Sequence, residues 1–203
     1  MKMNPSQGAT ELALFDFDGT ITVRDSTNDF IKYSCGVFRT AIGLVILSPV
    51  LLAYACGLLS SHCTKQAFFL FYFRNWDFDR FQKFADEYCR SVIPTLVRPK
   101  ALERIRWHQE RNHRVAVVSG ACSNWLRAWC EGQGVELIAT ELEVSDGRLT
   151  GRLATRNCYG REKARRITAA YDLNSFEHIH AYGDSRGDRA MLDLADHRYY
   201  RYF

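Results

Sequence analysis

Along the chain, short runs of apolar residues alternate with longer segments in which apolar residues recur at helical spacing. The short runs fit strands that are buried on both faces of a sheet. Strands that alternate with helices in this way predict a parallel sheet with right-handed crossovers. The predicted strands are 12–15, 115–120, 137–140, 178–184 and an edge strand at 198–200, and the predicted helices are 101–111, 125–132, 162–171 and 189–194.

The segment from 26 to 94 breaks this alternation, because its apolar residues follow helical spacing throughout. A helix is predicted at 26–33, and the aromatic residues between Phe68 and Tyr88 predict a helical core. The whole pattern predicts an α/β fold in three parts. These are a doubly wound, Rossmann-like parallel sheet core at 1–22 and 95–203, an inserted all-helical cap at 23–94, and a small β-hairpin at 143–153.

Residues 40–59 carry no charge and reach the length of a membrane span, which is about 20 residues. A single crossing would separate Asp16 and Asp18 from the candidate site residues that follow the segment. Pro49 would also break a helix in its middle. We expect two short apolar helices joined near Pro49, either buried in the helical cap or lying in a membrane interface. Burial is the preferred alternative.

The composition indicates the cellular compartment and the classes of partner that the protein would have. The chain has 203 residues, is 47% hydrophobic and carries a net charge of +4. Its basic residues are scattered, which argues against nucleic acid as a partner but suits an anionic substrate or membrane surface. Seven cysteines without a C-x-x-C pair indicate reduced thiols, and Cys35, Cys56 and Cys63 with His62 match no zinc pattern. Residues 1–10 lack an apolar stretch, so we expect no secretory signal and a cytoplasmic protein, with possible peripheral contact at the inner face of the membrane.

Two acids follow the first predicted strand directly. Asp16 and Asp18 precede a Gly19-Thr20 turn, at the strand end where open α/β sheets bind ligands. Two carboxylates in one crevice repel each other, and a divalent cation such as Mg²⁺ removes that conflict. The alternative is an ordinary Asx turn at Asp18.

Further polar residues also stand at strand ends or helix starts. Ser119 and Gly120 end the second predicted strand, Lys163 begins a helix, and Asp184 and Asp188 follow the strand at 178–184. In a doubly wound sheet these positions converge with the first two acids on one crevice. Several carboxylates with one ammonium suit a bound Mg²⁺ and a phosphoryl group.

With these motifs the sequence resembles the haloacid dehalogenase superfamily of phosphotransferases. The helical insertion after the first motif resembles the C1-type cap of the phosphoserine-phosphatase-like branch, subfamily IB. The resemblance covers the whole chain, and the matching residues are Asp16-Phe17-Asp18-Gly19-Thr20, Ser119-Gly120, Lys163 and Gly183-Asp184-Ser185-Arg186-Gly187-Asp188.

The resemblance implies a phosphatase and a role for each residue. Asp16 would be the nucleophile that forms an aspartyl-phosphate, and Asp18 the general acid and base. Asp184, the Asp16 carboxylate and the Asp18 carbonyl would bind Mg²⁺. The implied phosphate-binding residues are Ser119, Gly120 and Lys163, and the implied supporting residues are Thr20 and Asp188, the latter acting through water or by holding Lys163.

The substrate is less closely defined. Phosphoserine phosphatases place an acid where Asp25 stands, but they hold the substrate carboxylate with a cap arginine, and no arginine occurs between Arg39 and Arg74. The apolar segment looks instead like that of the bacterial phosphatidylglycerophosphatase C type. We therefore consider a phospholipid headgroup phosphate, and a soluble phosphate monoester as the alternative. Two other classes are a glycosyltransferase and a catalytically silent membrane-binding module.

Overall fold

The computed structural model describes residues 10–203, and a parallel sheet of five strands forms its centre. The strands of the chain are β1 (Glu11–Phe15), β2 (Arg114–Cys122), β3 (Glu136–Thr140), β4 (Leu142–Ser145), β5 (Arg148–Leu153), β6 (His178–Gly183) and β7 (His197–Tyr200). The sheet order is β3-β2-β1-β6-β7, and β4 and β5 form a separate antiparallel hairpin. Because β1 lies in the middle, Leu14 stands opposite Ala116 on one side and Ala181 on the other.

Helices cover both faces of the sheet. Along β1, Leu12 and Leu14 pack into one buried cluster, and Ala13 and Phe15 pack into the other. This alternation confirms the predicted doubly wound α/β fold and its small hairpin. The helices are α1 (Ser26–Ile46), α2 (Ser48–Ala55), α3 (Ser61–Phe73), α4 (Phe78–Ser91), α5 (Ile93–Leu96), α6 (Pro99–Gln109), α7 (Ser123–Gly132), α8 (Arg161–Ala170) and α9 (Arg189–Leu192).

The apolar stretch differs from the prediction in length and in exposure. The helix predicted at 26–33 continues as α1 to Ile46, with a break at Gly36, whose φ of +78° suits glycine. The predicted joint near Pro49 is present, because α1 and α2 meet at a bend of 56°. The preferred burial is wrong: α2 has no buried residue. Residues 40–59, here named the apolar elbow, largely face outward.

Among the described residues, no single helix has the length and apolarity to cross a bilayer. The bent pair α1 and α2 together has the length and composition of a membrane span. The start of the chain, on which the expectation of no secretory signal rests, falls almost entirely outside the described residues. The division into a core at 1–22 and 95–203 and a cap at 23–94 remains a prediction.

Aromatic packing attaches the inserted helices to the sheet domain. The ring of Phe30 in α1 stacks on Trp125 in α7 with centroids 4.5 Å apart. Trp125 Nε1 also donates to Ser26 Oγ at 3.2 Å. The hairpin packs on α3, where a Cβ on Gly151 would stand 2.8 Å from the Cα of Leu70. The helices are therefore held over the carboxyl ends of the strands from two sides.

Candidate active site

The end of β1 and the turn after it bring Asp16 close to Asp184. The backbone N–H of Asp16 donates to the carbonyl of Tyr182 at 2.9 Å, which continues the sheet by one residue. Gly19 has a φ of +84°, and a Cβ there would stand 2.5 Å from Asp184 Oδ2. Thr20 Oγ1 lies 3.2 Å from Asp16 Oδ2 and 3.4 Å from Asp184 Oδ1. Gly19 thus admits the Asp184 carboxylate next to the first strand.

Lys163 is buried at the start of α8 and joins two carboxylates. Its Nζ lies 2.5 Å from Asp16 Oδ1 and 2.7 Å from Asp188 Oδ1. The other oxygen of Asp188 accepts from the N–H and the hydroxyl of Ser185, at 2.9 and 2.8 Å. Gly183 allows this approach, because a Cβ there would stand 2.5 Å from Asp188 Cβ. Asp188 therefore holds both Lys163 and the turn after β6.

The acids around Lys163 carry more negative charge than its ammonium balances. Burial, together with the charge of Asp188, raises the pKa of Asp16 to about 6 although Lys163 opposes it. Burial and the charges of Asp25 and Asp16 raise the pKa of Asp18 to about 7. Asp16, Asp184 and Asp188 each offer a carboxylate oxygen, and these oxygens lie within 4.8 Å of one another. This donor set fits a hard divalent cation, which would relieve the repulsion.

The predicted phosphate-binding residues of β2 are only partly at the cavity. The strand does not end at Ser119-Gly120 but runs on to Cys122 through a register shift against β3. Ser119 is fully buried, and its Oγ accepts from the Ala121 N–H at 3.0 Å. Gly120 lines the cavity.

A cavity of about 550 Å³ lies over these groups. The inserted helices contribute one lysine to it: Lys65 Nζ in α3 donates to the Gly120 carbonyl at 2.5 Å. Sequence reasoning missed Lys65, although it is the one lysine or arginine between Arg39 and Arg74. The apolar part of the wall comes from Ile31, Leu51, Tyr54, Phe68 and Phe69, and further polar residues that the sequence did not suggest are Asn157 and Tyr159.

Asp25, the candidate substrate residue, also lines the cavity, but its side chain has a structural partner. Its Oδ1 accepts from the Asn28 N–H at 2.8 Å and so caps α1. Asp18 Oδ1 accepts from the Ser26 N–H at 2.7 Å in the same turn. The first turn of α1 thus fixes the position of Asp18.

The haloacid dehalogenase-like hydrolase family matches residues 13–193. The chain belongs to this family. It is 32% identical over 198 residues to the Protein CicA of Caulobacter vibrioides, covering 95% of this chain and 86% of that protein. It is 38% identical over 98 residues to a phosphoserine phosphatase of Archaeoglobus fulgidus, covering 47% of this chain and 28% of that protein.

A solved structure has the same fold. The phospho-aspartyl intermediate analogue of a phosphoserine phosphatase superposes with a TM-score of 0.66 at 22% identity, over 92% of this chain and 84% of that one. The predicted superfamily, its phosphoserine-phosphatase-like branch and the fold are therefore confirmed. The protein is an enzyme of the phosphatase type, as predicted, and the glycosyltransferase alternative is dropped.

All seven cysteines are free. Within residues 10–203, Cys35, Cys56, Cys63 and His62 form no cluster of metal donors.

Proposed function

We propose that the protein is a Mg²⁺-dependent phosphomonoester hydrolase that works through an aspartyl-phosphate on Asp16. The buried contact of Asp16 with Lys163, at 2.5 Å, is the observation that carries this proposal. A carboxylate held beside an ammonium can approach an anionic phosphoryl group, because the lysine neutralises charge on both. Asp16, Asp184 and the Asp18 carbonyl would hold Mg²⁺, which supplies charge neutralisation at the phosphoryl oxygens when bound.

In the first step, the Asp16 carboxylate attacks phosphorus and the ester oxygen leaves with a proton from Asp18. In the second step, Asp18 takes a proton from water, which attacks phosphorus and releases phosphate and the Asp16 carboxylate. The raised pKa of Asp18, about 7, suits a group that is protonated in one step and ionised in the next. Lys163 and the backbone at Gly120 would hold the phosphoryl oxygens, and Thr20, Ser119 and Asp188 would support the site.

We infer further that the substrate phosphate is carried on a phospholipid headgroup, such as phosphatidylglycerophosphate. The acidic floor of the cavity gives way to an apolar wall, to which Leu51 and Tyr54 of the apolar elbow contribute. Outside the cavity the elbow exposes Val45 by 74%, Leu52 by 66% and Leu58 by 78%. Burying one such side chain is worth about 1.5–3 kcal/mol, so an acyl or interfacial environment would be favoured over water.

A soluble phosphate monoester is the second candidate. The similarity to the Archaeoglobus phosphoserine phosphatase favours it, as does Lys65, whose ammonium lies at the cavity and could meet a substrate carboxylate. Under this alternative the elbow would serve no purpose in catalysis.

Two kinds of substrate separate the candidates. Hydrolysis would be measured with Mg²⁺ on phosphatidylglycerophosphate in phosphatidylcholine vesicles and on soluble esters, including phosphoserine and p-nitrophenyl phosphate. The test variant is Val45→Glu with Leu52→Glu, and the control is Val144→Glu on the hairpin, where an exposed valine also becomes charged. Neither elbow residue lines the cavity, so the chemistry should be intact.

We expect the elbow variant to lose at least tenfold in activity on vesicles while keeping its rate on the soluble ester. Equal vesicle activity in both variants would overturn the lipid assignment and leave the phosphatase assignment intact. Asp16→Asn should abolish both activities with the fold preserved. Vesicle binding by a parent protein that hydrolyses none of these esters would favour a silent membrane-binding module.

A further inference from the structure

A second cluster of titratable side chains lies at the opposite ends of the strands from the active site. Five of the six histidines of the chain gather at the amino-terminal ends of the strands, whereas the acids of the active site follow the carboxyl ends. Glu11 is the first residue of β1, and His113 immediately precedes β2. The five histidines are His108, His113, His178, His180 and His197.

Donor atoms of three histidines lie close together, and Glu11 contacts two of these histidines. The Nδ1 atoms of His108 and His113 are 2.9 Å apart. Oε2 of Glu11 lies 3.3 Å from Nδ1 of His113 and 2.6 Å from Nε2 of His180. One nitrogen from each of the three histidines falls within 4.8 Å of the others. Ligands that surround Zn²⁺ tetrahedrally at about 2.0–2.1 Å are roughly 3.3 Å from one another. The three imidazoles are therefore near the spacing that one ion needs, and Glu11 would turn toward the ion to complete the set.

We propose that His108, His113, His180 and Glu11 form a structural binding site for Zn²⁺. Three imidazoles and one carboxylate complete a four-coordinate set, which is the pattern of a closed site without an open position for substrate. The ion would join the start of β1 and of β6 to the end of α6 and the turn before β2.

The surroundings of the donors support this assignment. Nε2 of His108 lies 3.0 Å from the Tyr182 hydroxyl, a contact that orients the ring so that Nδ1 faces the cluster. His180 is 6% exposed, and its Nδ1 is buried without a hydrogen-bond partner among the described residues. The hydrogen bonds within the cluster therefore leave polar capacity unused.

The protonation states also suit a metal. Burial and the charges of the neighbouring histidines lower the pKa of His108, and burial lowers the pKa of His180. Neutral imidazoles keep the lone pair that a metal needs. Burial tends to raise the pKa of Glu11, but the hydrogen bond from His180 and the nearby histidine charges reverse this, so Glu11 is a carboxylate.

Zinc binding can be measured apart from the active site. The full chain would be stripped with a chelator, transferred to millimolar Mg²⁺ to occupy the acidic cluster, and titrated with Zn²⁺ by calorimetry and thermal unfolding. We expect one zinc per chain. At free zinc 100 times the dissociation constant, the unfolding equilibrium constant should fall about 100-fold.

Glu11→Gln and His113→Gln should each weaken zinc binding at least tenfold, and far-UV circular dichroism would check that each variant keeps the fold. His197→Gln is the matched control, because His197 stacks on His180 at 4.7 Å without being one of the four donors. Equal zinc binding in all three variants, or no stoichiometric binding by the parent, would overturn the proposal.

Cobalt substitution identifies the ligands independently. A tetrahedral Co²⁺ spectrum without a thiolate charge-transfer band is expected for the parent, and its loss is expected for His113→Gln. A thiolate band would place the ion on the free cysteines and reject this site. With Mg²⁺ present, the phosphatase rate of His113→Gln should equal that of the parent, because His113 lies at the opposite ends of the strands from the active site.

Discussion

Lys163 is a buried charge that the fold balances with two carboxylates. Its side chain is 2% exposed and bridges Asp16 and Asp188. Lys163→Met would leave two buried carboxylates without a counter-charge, so we expect the free energy of unfolding to fall by about 3–5 kcal/mol and turnover to be lost. Urea unfolding at neutral pH and a phosphatase assay measure the two effects.

Arg165→Met is the matched control for that experiment. Arg165 lies on the same helix, is 66% exposed and pairs with Glu162 at the surface. Its removal should cost less than about 1 kcal/mol. A similarly small loss for Lys163→Met would mean that the buried ion pairs are replaced by water without penalty, contrary to the expectation.

His108 gives the stability a dependence on pH. It is completely buried, and burial with the charges of His180 and His113 lowers its pKa from 6.5 to about 3. The unfolded chain therefore takes up a proton as the pH falls below 6.5, while the folded chain does not. We expect the contribution of His108 to the free energy of unfolding to be fully present above pH 6.5 and to decline as the pH falls toward 3.

Urea unfolding between pH 7.5 and 4.5, with a chelator present, checks this expectation. His108→Gln should flatten the decline, whereas His197→Gln, which changes an exposed histidine, should keep it. A decline of the same slope in His108→Gln would assign the pH dependence to other groups.

At the residue scale, the sequence predicted the acids and Lys163 because motif order fixes them to strand ends and helix starts. Asp16, Asp184 and Lys163 are brought together as expected. Lys65 escaped prediction because its place at the cavity depends on how the inserted helices pack. Helical spacing alone does not show which face of a helix meets the cavity. Ser119 was expected at the cavity, but the irregular end of β2 buries it.

At the scale of elements, the hairpin and α3 depend on one close approach. Gly151 has a φ of +80°, and a Cβ there would stand 2.8 Å from the Leu70 Cα. Gly151→Ala should lower the free energy of unfolding by more than the backbone strain alone, which is about 1–3 kcal/mol. Gly147→Ala is the matched control, since Gly147 has a φ of +71° in the hairpin turn but no neighbour within 4 Å.

Thermal or urea unfolding of the two glycine variants gives the comparison. The difference between them measures the contact between the hairpin and α3, because the strain from positive φ is common to both. Equal losses would show that α3 moves aside at little cost, and that the hairpin does not hold the inserted helices in place.

The elements themselves were predicted closely where the pattern is periodic, and less well at the elbow. The uncharged run at 40–59 correctly predicted two helices and a joint, since Pro49 sets the break. It also led to the wrong preference for burial. An apolar composition indicates that contact with water is unfavourable, but it does not show whether the segment contacts protein or lipid instead. The packing of α2 shows that protein does not cover this helix, because none of its residues is buried.

At the scale of the whole molecule, the active site joins parts that are distant in sequence. Asp16 follows β1, Asp184 follows β6, and Lys163 begins α8, while the cavity wall comes from the inserted helices. The acids that a cation would bring together therefore stand at the carboxyl ends of two neighbouring strands, β1 and β6. Binding of Mg²⁺ should stabilise the entire fold, not only activate the site.

We expect Mg²⁺ to raise the midpoint of thermal unfolding of the chelator-treated protein and to restore activity. A ligand present at 100 times its dissociation constant stabilises the folded state by about 2.7 kcal/mol. The source of the gain here is the unfavourable burial of Asp16, Asp18 and Asp184 beside other acids, which raises their pKa values and which a cation would relieve. Asp184→Asn should lose both responses, and Asp193→Asn, at an exposed acid in an ion pair with Arg198, should keep them. Full activity in excess chelator, or an equal thermal shift in both variants, would contradict a Mg²⁺ site at the ends of β1 and β6.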